Sequence, residues 1–567
     1  MPILPDPETL RTLSEVEQIK ARSRNLRGTI AEGLVDPLTG AIAPDDNAIL
    51  KFHGSYQQDD RDLRDERRRQ KLEPAYMFMI RVRLPGGQCS PAQWLALDDV
   101  AGRHANGTLR LTTRQTFQFH GIRKPHFKPA MQAIHAAGLD TIAACGDVNR
   151  NVLASANPYR SPLHAAAGEL ARAVSEHLLP KTNAYAEIWL DAPAVDPSTE
   201  VEPIYGPLYL PRKFKIGIAV PPDNDMDVYA QDLSFIAVED KGELAGWNVL
   251  AGGGMGMTHG EKATYPRLAD LLGFCTPEQA IAVAEQVVCV QRDFGDRTNR
   301  RHARLKYTID DRGLAWFKGE LESRLGFALA PARPFTFDHN TDAFGWQQGP
   351  DGRWHYTLFV ENGRIADRGA RRLRSGLREI ARVHRGLFAL TNNQNVTVAG
   401  IDAAQRPAIE ALIAEYGLER DASLLRQNAM ACVALPTCAL AMAESERYLP
   451  HLITRLDGVI DACGLSDTPI TLRMTGCPNG CARPYIAEIG LVGKAPGKYN
   501  LYLGAGFHGQ RLGKLYRENI GEDAIVEALT PLLQRFAVER QKGEHFGDFL
   551  VRAGVVPAVA AGRQFHD

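Results

Sequence analysis

Two related copies of one sequence unit, displaced by 279 residues, dominate the organisation of this chain. The segment LTTRQTFQFHGI at residues 111–122 matches LTNNQNVTVAGI at residues 390–401, with Leu, Thr, Gln, Gly and Ile at equivalent places. The same offset relates Gly138 to Gly417 and Asn149 to Asn428, without a gap between these anchors. A repeat of this length predicts two copies of one structural unit. Ligands favour the cleft that forms between such halves.

Each copy predicts a small mixed module that is followed by a larger one. Alternating residues predict a strand, and apolar spacing then predicts helices over 129–137 and 407–416. Downstream, WNVLAGGGMG at 247–256 resembles YNLYLGAGFHG at 499–509, and LPRKFKIGIAVP from Leu210 corresponds in position to ITLRMTGCPNG from Ile470. The sequence therefore predicts an internally duplicated, pseudo-twofold α+β protein.

Charge and hydropathy exclude several classes of protein. The 567 residues carry 66 basic and 67 acidic side chains, so no bulk electrostatic partner such as a nucleic acid is expected. The apolar stretch 429–443 falls short of the ~18 residues that cross a membrane and is broken by Pro436. The amino-terminal MPILPDPETL has no secretory pattern. We expect a cytoplasmic protein with reduced cysteines and no membrane contact.

Four of the nine cysteines form a group, whereas the other five stand alone. The isolated residues, which we expect to be small buried side chains, are Cys89, Cys145, Cys275, Cys289 and Cys463. The grouped residues lie in two short motifs, CVALPTC with Cys432 and Cys438, and CPNGC with Cys477 and Cys481. Grouped thiols in a reducing compartment indicate a metal centre before they indicate disulfides.

The surroundings of the four thiols favour an iron–sulfur cluster over zinc. The first pair is wider than a zinc knuckle and lies in an apolar segment, and thiolates in a dry pocket are typical of clusters. Gly476 and Gly480 favour a tight turn that aims backbone N–H groups at sulfur. A zinc site and a chance grouping remain open from the spacing alone.

The two copies of the repeat differ in which half carries cations and which carries the grouped cysteines. Arg114 and Arg150 stand where the second copy has Asn393 and Ala429. This division predicts an anion site that is built mainly by the amino-terminal half beside a metal centre in the carboxy-terminal half. Alternation along strands places Arg81 with Arg83, and Lys213 with Lys215, on common faces. The candidate cations are Arg81, Arg83, Arg110, Arg114, Arg150, Arg212, Lys213 and Lys215.

Two other patterns invite functional interpretations that we do not adopt. The charged run at 57–73 carries the i,i+4 pairs Asp60/Arg64, Arg61/Asp65 and Asp65/Arg69, which predict a solvated helix or linker. Residues 504–509 match GxGxxG, a dinucleotide fingerprint only within a strand–turn–helix unit. No such unit is expected there, so we predict no nicotinamide site on this chain.

Several motifs together identify a family resemblance over essentially the whole chain. They are NLRGTIAEGL, FHGSYQQDDRD, RLTTRQTFQFHG, YLPRKFK, QRDFGDRT, the two cysteine motifs, GLVGKAPGKYNLYLG and GDFLVRAG. With them the chain resembles the sirohaem-containing subunits of the sulfite/nitrite reductase family. The block that ends in QQDDRD resembles the bacterial, assimilatory NADPH-dependent sulfite reductases more than nitrite reductases.

The resemblance implies an architecture of ferredoxin-like half-modules and larger modules that carry sirohaem and an iron–sulfur cluster. The expected segments are an amino-terminal arm at 1–70, a first half-module at 71–145, a first sirohaem and substrate module at 146–335, a second half-module at 345–420 and a second module with the cluster ligands at 421–567.

The resemblance also implies roles for twelve residues. Cys432, Cys438, Cys477 and Cys481 would ligate a 4Fe-4S cluster, and Cys481 would also be the axial ligand of the sirohaem iron. Arg110, Arg114, Arg212 and Asn479 would contact sirohaem, whose eight carboxylates require cationic partners. Arg81, Arg150, Lys213 and Lys215 would bind the substrate.

The implied reaction is the six-electron reduction of sulfite to sulfide. Cofactors must carry the electrons, because side chains can only position and protonate. Since no nucleotide motif is present, NADPH would be oxidised by a separate FAD- and FMN-containing flavoprotein, bound through surfaces that include the amino-terminal arm. The alternatives are a ferredoxin-dependent sulfite or nitrite reductase, a zinc-stabilised binding protein, and a cluster protein without haem.

Overall fold

The computed structural model describes residues 4–419 and 422–567. Its strands are β1 (Ser55–Asp59), β2 (Tyr76–Arg81), β3 (Gln88–Cys89), β4 (Leu109–Leu111), β5 (Phe117–Ile122), β6 (Leu153–Ala154), β7 (Ile216–Ala219), β8 (Leu233–Asp240), β9 (Glu243–Ala251), β10 (Asp270–Cys275), β11 (Gly345–Gln348), β12 (Trp354–Leu358), β13 (Arg364–Ile365), β14 (Asp367–Arg368), β15 (Arg371–Arg372), β16 (Leu387–Leu390), β17 (Val396–Ile401), β18 (Ala429–Ala431), β19 (Leu472–Thr475), β20 (Ile489–Ala495), β21 (Lys498–Leu503) and β22 (Lys514–Ile520).

The helices are α1 (Pro7–Thr12), α2 (Glu15–Arg22), α3 (Ile30–Val35), α4 (Pro44–Ile49), α5 (Arg64–Arg69), α6 (Pro91–His104), α7 (Lys124–Ala136), α8 (Pro162–His177), α9 (Ala184–Leu190), α10 (Ala280–Phe294), α11 (Leu305–Arg312), α12 (Leu314–Leu325), α13 (Leu373–Val383), α14 (Arg406–Glu415), α15 (Leu424–Gln427), α16 (Leu449–Ala462), α17 (Glu522–Glu539) and α18 (Phe546–Arg552). None of them combines the length and apolar character that a membrane crossing requires.

The predicted duplication is confirmed by two matching pairs of sheets. The small antiparallel sheets run in the orders β1-β2-β5-β4-β13 and β11-β12-β17-β16-β3. Strands β5 and β17 are related by the 279-residue offset at both ends. Helices α7 and α14 follow them, as predicted, although α7 begins at Lys124 rather than at residue 129, because Pro125 in its first turn suits a helix start.

The two small sheets exchange their edge strands. Residues Gln88–Cys89 of the first half pair with β16 in the second sheet. Residues Arg364–Ile365 of the second half pair with β4 in the first sheet. One apolar core accordingly extends from the first half to residues of the second, including Phe117 and Phe388 on either side of Trp94. The two halves are therefore interlocked through the edge strands β3 and β13 of their small sheets.

The larger sheets also share one topology. They run β10-β9-β8-β7-β6 and β18-β19-β20-β21-β22, with β7 and β19 each parallel to both neighbours. This confirms the predicted correspondence of the segments that begin at Leu210 and Ile470. Gly252 and Gly504 follow β9 and β21 with φ near +89° and +83°, a conformation that glycine adopts without strain. Residues 504–509 lead into β22 and not into a helix.

The charged run at 57–73 agrees with its predicted form in part. It comprises the end of β1, a turn and the short helix α5, which has no buried residue as predicted, but its ion pairs are not the i,i+4 pairs of the sequence. Arg64 pairs with Asp59 at 2.5 Å, and Asp65 pairs with Arg68 at 3.3 Å. The reason is that the strand continues to Asp59, so that its carboxylate lies beside the first turn of α5. Of the five isolated cysteines, four are buried as predicted and Cys463 is half-buried.

Candidate cofactor and substrate site

One cavity between the two halves is lined by all twelve candidate residues. Its volume is about 320 Å³, within the ~300–1,000 Å³ range of ordinary ligand pockets. The first half contributes cations and the second contributes thiols, as the divergence of the repeat predicted. The shared lining residues are Arg81, Arg110, Arg114, Arg150, Arg212, Lys213, Lys215, Cys432, Cys438, Cys477, Asn479 and Cys481. Arg83 instead pairs with Asp140 and Glu176, at 2.5 and 2.8 Å.

The four thiols lie together at one end of the cavity. Burial and then the neighbouring thiols raise the pKa values of Cys432, Cys438 and Cys477 to about 12. In the residues described, no group of three or more His, Cys, Asp or Glu side chains is placed to hold a single metal ion. Three of the four thiols are buried or half-buried, a setting that suits an iron–sulfur cluster. Binding would have to displace their protons.

A close approach of two loops brings the cysteine motifs together. The Gly476 N–H donates to Cys432 Sγ at 3.3 Å, and Asn479 Nδ2 donates to Cys477 Sγ at 3.6 Å. A Cβ atom at Gly476 would lie 2.6 Å from both Ala434 Cβ and the Ala443 carbonyl oxygen. Glycine is thus required for the contact between the motifs, and the predicted N–H donation to sulfur is present at Cys432.

The cationic end of the cavity has few anions. Asp147 is the one carboxylate among the lining residues of the described chain, and Arg300 holds it at 2.8 Å. The side chains of Arg212, Lys213 and Lys215 have no hydrogen-bond or ion-pair partner within residues 4–419 and 422–567. Burial and then nearby cations lower the pKa values of both lysines well below their ordinary range. An anionic ligand would offset this excess of positive charge.

The other four arginines are held by protein groups. Arg81 Nη1 donates to Cys145 Sγ at 2.8 Å, and Arg150 Nε donates to the Gly146 carbonyl at 3.1 Å. Arg110 lies 3.0 Å from Glu446. The Nε of Arg114 is buried without a partner, although its Nη atoms are bonded. The site thus contains cations that protein groups hold in place and hydrogen-bond donors that have no partner in the protein.

Sequence reasoning missed several residues that shape the site. Lys51, Tyr56, Gln118, His120 and Arg300 also line the cavity. Gln118 and His120 lie within the quoted RLTTRQTFQFHG motif, and alternation with Phe117 and Phe119 could have indicated them. The position of Lys51 and Tyr56 at the cavity depends on the path of the amino-terminal arm, which no local sequence pattern predicts.

Arg61, which was assigned to a solvated run, supports the loop of Cys438. Its Nη1 donates to the carbonyl oxygens of Cys438 and Ala441 at 3.1 and 2.6 Å, and its backbone N–H donates to the Pro436 carbonyl at 3.3 Å. The arm therefore closes the cluster end of the cavity as well as the cationic end.

Nine cationic side chains and one carboxylate line this cavity beside four thiols. A tetrapyrrole with eight carboxylates fits such a charge excess, and the unpartnered Arg114 Nε, Lys213 and Lys215 offer it donors. Four grouped thiols with a backbone N–H donor fit an iron–sulfur cluster. The residues present accordingly fit both groups.

Comparison with known proteins agrees with this arrangement. The family model described as nitrite and sulphite reductase 4Fe-4S domain matches residues 170–329, and the nitrite/sulfite reductase ferredoxin-like half domain matches residues 69–137 and 347–416. The first match covers the larger module of the first half, whereas the four grouped cysteines lie in its structural counterpart in the second half.

Curated relatives extend over nearly the full chain. A sulfite reductase (NADPH) hemoprotein beta-component of Shouchella clausii is 60% identical over 98% of this chain and 97% of its own. The protein of that name from Myxococcus xanthus is 61% identical over 97% and 98%. Among solved structures, Mycobacterium tuberculosis NirA matches with a TM-score of 0.75 and 25% identity over 96% of both chains. This chain belongs to the nitrite and sulfite reductase family.

Proposed function

We propose that this chain is the haemoprotein component of an assimilatory NADPH-dependent sulfite reductase, which reduces sulfite to sulfide. The observation that carries the proposal is that four thiols of the second half and nine cations, all from the first half, line one cavity. The names of the relatives support sulfite as substrate and NADPH as the source of electrons. Sirohaem and a 4Fe-4S cluster are the cofactors.

The four grouped cysteines are the proposed cluster ligands, and Cys481 is the proposed bridge to sirohaem. Cys481 is the exposed member of the four and faces the cavity, whereas Cys477 is buried. A thiolate that serves two cofactors would need to be accessible from the cavity, and the exposure of Cys481 supports this role. Arg110, Arg114, Arg212 and Asn479 would hold the macrocycle and its carboxylates.

When bound, the two cofactors store and deliver the six electrons that the reduction of sulfur(IV) to sulfur(−II) requires. The side chains of the chain supply charge and protons. Arg81 and Arg150, fixed by Cys145 and Gly146, would orient the sulfite oxygens through guanidinium N–H donors. Their partners in the protein hold them in place before the substrate arrives.

Lys213 and Lys215 are the proposed proton donors. Because burial and neighbouring cations lower their pKa values, each ammonium releases a proton more readily than an ordinary lysine. Three sulfite oxygens leave as water, so protons are required at each cleavage of an S–O bond. The anion also compensates the charge of the lysines, which ties substrate binding to their protonated form.

The partner, the compartment and the domain limits belong to the same proposal. We propose an NADPH-oxidising FAD and FMN flavoprotein as electron donor and a cytoplasmic location. We also propose modules at 71–145, 146–335, 345–420 and 421–567 after an arm at 1–70; the limits at residues 1 and 420/421 lie outside the described residues. The cavity lining by Lys51 and Tyr56 supports an arm that closes the site.

The purified chain should be coloured, contain sirohaem iron and acid-labile sulfide, and reduce sulfite with reduced viologen but not with NADPH. Addition of the flavoprotein should restore the NADPH-dependent reaction. Turnover of NADPH by the single chain would refute the division of labour. Faster turnover of nitrite, or a requirement for ferredoxin, would favour the alternative reductases, and a colourless zinc protein would exclude the reaction.

A further inference from the structure

The turn that carries Arg114 is tied directly to the cysteine that faces the cavity. Thr113 lies between β4 and β5, and its hydroxyl donates to the Cys481 carbonyl at 3.0 Å. In the opposite direction, Arg483 Nη1 donates to the Thr113 carbonyl at 3.2 Å. Two hydrogen bonds of opposite sense therefore join Thr113 of the first half to Cys481 and Arg483 of the second.

Arg483 is itself held from the first half. Its Nε donates to Asp227, a residue between β7 and β8, and the same carboxylate accepts from Arg473 Nη1 of β19 at 2.7 Å. The exposed fractions of the Asp227, Arg473 and Arg483 side chains are 1%, 2% and 6%. Removal of one partner from such a buried ion pair strongly destabilises a protein, because the other charge stays buried without compensation. The pairs with Asp227 therefore fix the position of the Arg483 side chain.

The local backbone agrees with a fixed role for Arg483. Its φ is +55°, its N–H donates to the Gly480 carbonyl at 2.9 Å, and it precedes the turn Pro484–Ile486. A non-glycine residue in this conformation requires support from its surroundings. The Asp227 carboxylate provides that support from the other half of the chain.

The same type of link occurs elsewhere without contact to the cavity. Asp98 on α6 is 2% exposed at its side chain and accepts from Arg374 and Arg378 on α13. It also joins the two halves through one carboxylate and two guanidinium groups, yet neither guanidinium group is bonded to a residue that lines the cavity, whereas Arg483 is bonded to Thr113, which does. Asp98 is therefore a matched control for a purely structural bridge.

We infer that Thr113, Arg483 and Asp227 are positioning residues that set the place of Cys481, and hence the coupling of the cofactors, relative to the Arg114 turn. The inference rests on the proposed role of Cys481 as the bridge. Because ligands oriented by outer hydrogen bonds commonly lose 10–100-fold in function without them, a loss of about tenfold in turnover is expected when the Thr113 hydroxyl is removed.

The test compares holoenzymes that carry Thr113→Val, Thr113→Ser, Asp227→Asn and Asp98→Asn. Each is assayed for iron and sirohaem content, for exchange coupling between haem and cluster by electron paramagnetic resonance and Mössbauer spectroscopy, and for the haem midpoint potential. Thr113→Val should weaken the coupling, and Thr113→Ser should restore it. Asp227→Asn should also weaken the coupling, because Arg483 loses the carboxylate that holds it. Asp98→Asn should lower stability alone.

Unchanged coupling in Thr113→Val, or equal spectroscopic changes in Asp98→Asn, would overturn the inference. If Thr113→Val loses a cofactor that Thr113→Ser and Asp98→Asn retain, the positioning role is supported. Cys481→Ser is measured in parallel. A coupled spectrum in that variant would refute the proposed bridge, whereas its loss beside a normal Thr113→Val would refute only this inference.

Discussion

Replacement of Lys215 by methionine should stabilise the cofactor-free protein while it damages the enzyme. The Lys215 side chain lines the cavity, and its Nζ has no ion-pair or hydrogen-bond partner in residues 4–419 and 422–567. Removing an unpaired buried charge gains part of its desolvation cost, which amounts to several kcal/mol per ion. Because the cavity admits solvent, we expect the lower part of that range, an increase of about 1–3 kcal/mol in the free energy of unfolding.

The prediction for Lys215→Met also includes a pH dependence of the free energy of unfolding. Burial and the neighbouring cations lower the pKa of folded Lys215 well below its ordinary value of 10.5. Between the folded and the ordinary pKa, the unfolded state binds more protons, so the stability of the wild-type protein rises with pH. Lys215→Met lacks this contribution, and its advantage should therefore shrink as the pH rises towards 10.5.

The assay is urea unfolding of protein that is prepared without sirohaem, followed by sulfite kinetics of the loaded enzyme. Lys124→Met is the matched control, because buried Lys124 Nζ donates to the carbonyls of Gly33 and Ala41 at 2.9 and 3.0 Å. That control should lose about 1–3 kcal/mol. A destabilised Lys215→Met at neutral pH, or an advantage that does not change with pH, would refute the reasoning. In the loaded enzyme Lys215→Met should lose turnover with reduced viologen.

Three further changes test other parts of the structure. Cys481→Ser should abolish haem–cluster coupling and sulfite turnover, and full activity would show that this residue is no bridge. Burial raises the pKa of Glu488 to about 7. Between pH values of about 4.5 and 7 the folded state therefore holds a proton that the unfolded state releases, and the free energy of unfolding should fall as the pH rises. Glu488→Gln should flatten this decline in urea unfolding, and an unchanged slope would contradict the prediction. Arg61→Ala should speed the loss of the cluster in air, measured as bleaching, because the carbonyls of Cys438 and Ala441 lose their donor. Arg68→Ala, at an exposed residue, is the control. Equal bleaching of both variants would argue against a supporting role of Arg61 at the Cys438 loop.

Local pattern was sufficient for the elements in which neighbouring residues specify their own structure. The repeat predicted equivalent strands because alternation along β5 and β17 is written in consecutive residues. The predicted i,i+4 pairs of the run 57–73 failed because β1 continues to Asp59, whose carboxylate attracts Arg64. The partner of a surface cation depends on where the preceding element ends.

The sequence by itself determined the duplication, the grouping of four thiols and the division of cations and cysteines between the halves. These follow from residue identity and spacing, which need no contact between distant parts. Only the tertiary structure decided that two-residue strands cross between the small sheets, and that Lys51 and Arg61 close the cavity. It also brought Asp227 to Arg483 across 256 positions. Such pairings depend on the packing of whole modules. A buried charge is cut off from water, so it can be paired only with groups that the fold brings within reach.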